Sequence, residues 1–179
     1  GHVTGVQPCA LPISATQKAV WAFQKAYRIS RSGKIDDSTQ RMFRIATRVR
    51  PRSIGGNLVE VDKTRQILIV VRNGAAAWIA NVSTGNDQPY SHDGQSYTAY
   101  TPTGSFRVVS EINGPDVAPL GMLWRPKFFT PGGIAVHGSG SIPPYPASHG
   151  CVRVANAFMN WIWDGNVMPM GSPVWVYES

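Results

Sequence analysis

A chain of 179 residues, 42% hydrophobic and only 15% charged, is an ordinary globular protein, long enough to bury one full domain with room for a small companion. Its 18 glycines and 14 prolines favour a loop-rich β fold, and no apolar run approaches the roughly 20 residues that a bilayer crossing needs. The net charge of +7 is concentrated: residues 14–52 carry ten Lys/Arg against Asp36 and Asp37, whereas residues 53–179 carry seven against eight Asp/Glu.

The opening stretch, VTGVQPCALPIS at residues 3–14, has no hydrophobic periodicity, and all of it but Pro8 resembles the in-frame translation of a sequencing-library adaptor. Residues 1–13 are accordingly set aside as an assembly scar, with a natural coil or a signal-peptide remnant as the alternatives. On that reading Cys9 is not native, and the absence of a signal peptide is uninformative about export. Two cysteines, Cys9 and Cys151, make no disulfide framework in a chain of this length. His2 falls in the same stretch.

Two short helices are predicted between residues 14 and 50. In SATQKAVWAFQKAYR, Ser14 and Gln17 form a capping-box pattern, and Val20, Phe23 and Tyr27 share a face. In DDSTQRMFRIATRVR, Asp37 is the expected N-cap and Met42, Ile45, Ala46 and Val49 the apolar stripe, with Gly33 marking the turn before it. Two such helices bury too little to stand alone, so either a third has been lost upstream or the pair leans on the next domain. Val20, Phe23, Gln24, Ser32 to Asp37 and Thr39 form a pattern that resembles the small helical peptidoglycan-binding domain; the alternative is a generic helical hairpin. The basic excess of this segment suits a polyanion, whether nucleic acid, anionic lipid or an acidic cell-wall polymer. The aromatics of the remaining chain are not interleaved with basic residues, which argues against a nucleic-acid groove there.

RPRSIGG, residues 50–56, reads as a linker spanning 51–56, and residues 57–178 as a mainly β domain. Strands are expected at Leu58 to Asp62, Ile67 to Arg72 and Ala76 to Ser83, the second turn being Asn73-Gly74, a hairpin signal because both residues tolerate positive φ. Residues 86–103 read as a polar loop holding a solvated His92, SFRVVSEI as a strand, and NGPDVAPLGMLWRPKFFTPGG as a long excursion of the kind that forms lids. From that lid Trp124 and Phe128 are picked as cleft-lining residues, with core packing the alternative for each. IAVHG is a buried strand ending in His137. A Pro-rich loop, one helix from Ala155 to Asp164 with Gly165 as its cap, and a last strand PVWVYE complete the domain.

The chemistry concentrates in YPASHGCVR, residues 145–153. Thirteen residues of loop separate His137 from Cys151, read as lying at the start of the helix, and such a loop folds back easily enough to bring the two side chains together. A free thiol has a pKa of about 8.5, and an adjacent imidazole or a helix N-terminus makes it a better nucleophile near neutrality. Gly150, without a side chain, permits close backbone approach, so that the amides of Gly150 and Cys151 could hold a developing oxyanion. A buried inert cysteine would be the default for Cys151 in isolation; its polar Ser-His-Gly setting argues otherwise.

The pair of motifs HG at 137–138 and SHGCVR at 148–153 resembles the active-site signature of the L,D-transpeptidase catalytic domain, and EVDKTRQILIVV, STG, TPTGSFRV and GIAVHG extend the likeness over residues 57–178. The resemblance implies an L,D-transpeptidase-like β-sandwich or barrel with one helix after the cysteine, preceded by a partial helical peptidoglycan-binding domain. By position it implies Cys151 as nucleophile, His137 as general base, Gly138 as the carbonyl that fixes the imidazole tautomer, His149, Gly150 and Cys151 as oxyanion amides, and Ser148 as a brace for the loop. Arg153 stands where the family's motif often has Asn, and either holds a substrate carboxylate or anchors the loop. The implied reaction cross-links peptidoglycan stem peptides through a cysteine acyl-enzyme, with no cofactor or metal, outside the cytoplasm. Its partners would be the stem peptides, the anionic wall polymer and carbapenem-type covalent inhibitors, and an anchor to the membrane could precede this chain.

Three other readings are weaker. A metal site of His137, His149 and Cys151 lacks a C-x-x-C pair and a fourth ligand. A sortase-like transpeptidase shares the order His, Cys, Arg but leaves SHGC unexplained. A pure wall-binding module would not need Cys151.

Overall fold

The computed structural model describes residues 15–179. The expected scar at 1–13, Cys9, His2 and the capping role of Ser14 lie outside the described residues. Two helices, α1 (Ala15–Ala26) and α2 (Asp37–Ile45), precede a domain of strands β1 (Leu58–Asp62), β2 (Ile67–Arg72), β3 (Ala75–Asn81), β4 (Pro89–His92), β5 (Gln95–Thr98), β6 (Gly104–Arg107), β7 (Ser110–Glu111), β8 (Pro115–Ala118), β9 (Gly121–Phe128), β10 (Ala135–Ser139), β11 (Val152–Ala155) and β12 (Pro173–Tyr177). One helix, α3 (Asn156–Asp164), follows β11. The strands form one sheet in the order β3-β2-β1-β12-β6 and a second in the order β11-β10-β9-β7, with β8 on β9 and a separate β4-β5 hairpin. The mainly β fold is the one the resemblance implies.

The run ILIVVR explains how the layers stack. A strand buried on one face alternates, whereas one covered on both faces reads as continuous apolar sequence. Leu68 and Val70 point into the main core with Val59, Val61, Val174 and Val176, where they meet Val136, Val152 and Val154 of the second sheet and Met159 and Ile162 of α3. Ile67, Ile69 and Val71 point the other way and are covered by Ala26 of α1 and by Tyr27 just after it. The front segment thus leans on the β domain.

Several elements differ from expectation for identifiable reasons. The N-cap of α2 is Asp36, whose side chain accepts from the Thr39 amide, one position before the expected Asp37. That helix stops at Ile45, so Ala46 and Val49 leave the helical stripe; Ile45 is 71% exposed, and Val49 packs instead beside β2. The polar loop 86–103 contains the β4-β5 hairpin, turned at Asp93-Gly94 with both residues at positive φ. SFRVVSEI is two strands in different sheets, and the supposed lid is a hairpin whose second arm, β9, is an inner strand paired with β7, β8 and β10. The linker is pinned, because the buried Glu60 carboxylate accepts from the amides of Arg52 at 2.9 Å and Ser53 at 2.7 Å.

The basic excess of the front segment is partly consumed within the fold. Arg28 donates to Ser179 Oγ, Arg48 to the Ala76 carbonyl, and Arg52 lies over the rings of Trp175 and Tyr177. Lys25 and Arg31 are likewise engaged with the catalytic domain. Lys34, Arg41, Arg44 and Arg50 remain exposed.

Candidate active site

The site is built where β10 and β11 run parallel, with Val136 opposite Val152 and His137 opposite Arg153. Side chains alternate across a sheet. Val136, Val152 and Val154 enter the core, so Ala135, His137, Cys151 and Arg153 share the opposite face. Cys151 therefore stands directly before β11, and α3 begins five residues later at Asn156 with Ala155 as N-cap. The helix N-terminus expected to activate the thiol is not beside it. The alternation of VRVA is the signal that distinguishes a short strand there from a helix.

His137 is buried, and its Nδ1 lies 2.9 Å from the Gly138 carbonyl oxygen. A carbonyl only accepts, so Nδ1 carries the proton and Nε2 is the basic nitrogen. Burial pulls the imidazole pKa down to about 4, with the Gly138 carbonyl opposing and the Arg153 charge reinforcing the shift. Burial pushes the Cys151 thiol up, opposed by the Ala135 amide and by Arg153. Cys151 Sγ is 3.8 Å from the Gly133 carbonyl oxygen. Near neutral pH the two groups are thus a thiol and a neutral imidazole, and a proton must move as the sulfur attacks.

The loop that presents Cys151 is tied down at every turn. The Ser148 hydroxyl donates to the Cys151 carbonyl at 2.6 Å and accepts from the Gly150 amide at 3.0 Å. The Gly150 amide is therefore committed to Ser148 and does not serve as the oxyanion donor expected of it. Thr101 Oγ1 donates to the Gly150 carbonyl at 2.5 Å and itself accepts from the Gly85 amide. The Thr84 carbonyl accepts from the amides of Ala147 and Ser148. Gly150 has φ +146°, and a Cβ there would meet Ile134 Cδ1 at 2.8 Å and the Tyr100 carbonyl oxygen at 3.0 Å, so both backbone and space require glycine.

The other expected residues divide. Arg153 donates to the Ala147 carbonyl at 3.2 Å, and its charge also reaches Cys151. His149 is exposed, its ring edge-on to Tyr90 at 4.7 Å. Phe128 pairs with Ala135 and so lies on the His137 face. Trp124 pairs with Gly138 and donates through Nε1 to Asn160 Oδ1 of α3 at 2.8 Å. It packs behind the sheet, away from the thiol, and the cleft-lining role expected of it is not where its side chain points. Sequence reasoning missed Gln66, Thr84 and Thr101 as supports, although the last two stand in the STG and TPTG motifs. Among the described residues, no group of three or more His, Cys, Asp and Glu side chains could hold a metal ion, and no helix is long and apolar enough to cross a membrane.

A model of the L,D-transpeptidase catalytic domain (YkuD) matches residues 56–176. The chain belongs to that family. A solved L,D-transpeptidase from Xylanimonas cellulosilytica (residues 123–326) is 49% identical, covers 92% of this chain and 81% of its own, and superposes with a TM-score of 0.88. Another L,D-transpeptidase, from Stackebrandtia nassauensis, is 24% identical over 89% of this chain and 76% of its own, with a TM-score of 0.57. A third, solved in complex with imipenem, is 20% identical over 68% of this chain and 58% of its own, with a TM-score of 0.52. No curated protein matches the chain. The L,D-transpeptidases are cysteine-dependent acyltransferases of peptidoglycan cross-linking, and an extracytoplasmic site of action follows from work on the cell wall.

Proposed function

We propose that Cys151 is the nucleophile and His137 the general base of this L,D-transpeptidase. The observation that supports the assignment is the shared face of β10 and β11 together with the imidazole held at Nδ1 by Gly138, which leaves Nε2 on offer as the base. As Cys151 Sγ attacks the carbonyl between the third and fourth residues of a donor stem peptide, His137 takes the thiol proton. The tetrahedral oxyanion is met by the His149 and Cys151 amides. Collapse breaks the peptide bond, His137 returns the proton to the departing amine of D-alanine, and a thioester remains. The side-chain amine of a second stem then attacks the thioester, surrenders a proton through His137 and forms the cross-link, restoring the thiol.

Ser148 and Arg153 brace the loop, and Phe128 borders the cleft on the His137 face. The exposed Lys34, Arg41, Arg44 and Arg50 of the front segment offer the anionic wall polymer a contact, in keeping with a reduced peptidoglycan-binding unit. The test is intact-protein mass spectrometry after incubation with a carbapenem. One covalent adduct is expected on the parent, none on Cys151→Ala, and a much slower one on His137→Ala. A folded, reduced parent that takes up no adduct sinks the assignment.

A further inference from the structure

The front segment reaches the catalytic loop from behind through two side chains that the proposed mechanism does not use, Lys25 on α1 and Arg31 beyond its end. Lys25 is 1% exposed, and its Nζ lies 2.9 Å from the Gln66 carbonyl, 2.5 Å from Asn81 Oδ1 and 3.0 Å from the Val82 carbonyl. Three acceptors surround the one nitrogen, so each of its hydrogens finds a partner in either protonation state. Two of the acceptor residues lead onward. Asn81 Nδ2 donates to the Ile142 carbonyl at 3.1 Å, inside the loop that joins β10 to β11. Gln66 holds Thr84 twice, accepting from its amide and donating to its hydroxyl, and the Thr84 carbonyl holds Ala147 and Ser148. Arg31, beyond the end of α1, donates to the Pro144 carbonyl at 2.8 Å and the Thr64 carbonyl at 3.2 Å. The loop is therefore gripped from the helical segment at three places, residues 142, 144 and 147–148, just ahead of Cys151.

We infer that Lys25 and Arg31 are positioning residues for the acyl-transfer site, so that the front helix is a working part of the catalytic unit and not an accessory module. The inference rests on Cys151 as the acylated residue. A loop held from one side only would let Cys151 and the oxyanion amides wander by a few tenths of an ångström, enough to slow attack without altering how ligand is collected.

The test reads the rate of carbapenem acylation against carbapenem concentration for the full chain, parent first, with folding of each variant checked by thermal melting. Lys25→Met is expected to lower the saturating rate about tenfold with an unchanged half-saturating concentration, and Arg31→Met about threefold. Arg31→Lys, which keeps a donor for Pro144, should recover most of that loss. Arg48→Ala removes a comparable tie, to the Ala76 carbonyl on β3, away from the loop, and should leave the rate within about twofold of the parent. Parent-like rates for both Lys25→Met and Arg31→Met overturn the inference. So does an Arg48→Ala loss as large as that of Lys25→Met, which would mean general loosening. Should Lys25→Met not fold, the Arg31→Met and Arg31→Lys pair decides the matter. A parent without adduct removes the assignment of Cys151 itself, a result distinct from any of these.

Discussion

The two front helices are both short and both amphipathic, yet they do different work. α1 buries Val20, Trp21, Ala22, Gln24, Lys25 and Ala26, whereas α2 buries only Thr39. The first is bonded into the catalytic sheet. The second is hung on the first: Gln24 donates to Ser32 Oγ, the Lys34 carbonyl and Thr39 Oγ1 and accepts from the Gly33 amide, while the ring of Phe43 packs on Phe23 at 4.2 Å. What separates them is the more apolar buried face of α1 together with the partners that its polar residues Gln24 and Lys25 find.

The coarsest way to break the comparison is to start the chain at residue 53. That uncovers Ile67, Ile69 and Val71, all at 0% exposure, on the back of the sheet, and the truncated protein should be insoluble or lose cooperative melting. A soluble truncation that still takes the carbapenem would refute the view of α1 as integral.

A finer test uses pH. Lys25 is pulled down to about 6 from 10.5 by burial and by Arg31, and His137 to about 4 from 6.5. Each group binds its proton less tightly in the folded state than in the unfolded one. Stability therefore rises with pH across both windows, first between about 4 and 6.5 and then between about 6 and 10.5. The His137 share is about 3 kcal/mol at ~1.4 kcal/mol per pH unit. Denaturation midpoints should climb from pH 4 to 9, Lys25→Met flattening the upper part and His137→Gln the lower. The α2 cap answers only in acid: Asp36 is held at about 2 by Ser32 and then Thr39, so its contribution fades as pH falls from the ordinary carboxylate range through that value. A Lys25→Met curve that keeps the upper slope would show that some other group titrates there.

Gln24→Leu sharpens the difference further. It takes the acceptor from the Gly33 amide and one donor from Thr39 Oγ1, which keeps Asp36, costs about 1–3 kcal/mol, and should expose the α2 region to limited proteolysis while acylation stays at the parent's rate. Slowed acylation would tie α2 to the site as well. At the small end, Ile45→Ala at the end of α2 should change stability by less than about 0.5 kcal/mol in a melting experiment.

Much of the catalytic domain is legible in the sequence, because its signals are local. Asn73-Gly74, the run ILIVVR and the paired motifs around His137 and Cys151 each carry their meaning within a few residues. What escapes is long-range. Lys25 looks like a surface charge on its own helix, and only folding brings the carbonyls of Gln66 and Val82, 41 and 57 positions away, onto its Nζ. The strand β11 was hidden for a different reason: four residues of VRVA between a catalytic motif and a helix are shorter than a periodicity can resolve. The Gly150 amide was misassigned because glycine beside the nucleophile suggests an open donor, whereas a hydroxyl two residues back already holds it.

Gly138 has two occupations. Its carbonyl orients the His137 ring on one side of the sheet, while a Cβ on the other side would come within 2.7 Å of Asn156 Oδ1 and 2.8 Å of Trp124 Cδ1. The histidine is a chemical letter and the glycine after it a steric one, spelled by a strand residue and a helix residue that pack against it. A single step from glycine to alanine would be felt first at the back of the sheet and only then at the imidazole. The mutational route to a different residue at that position thus runs through Trp124 and Asn156, and would have to be walked there before any change in chemistry could be tried.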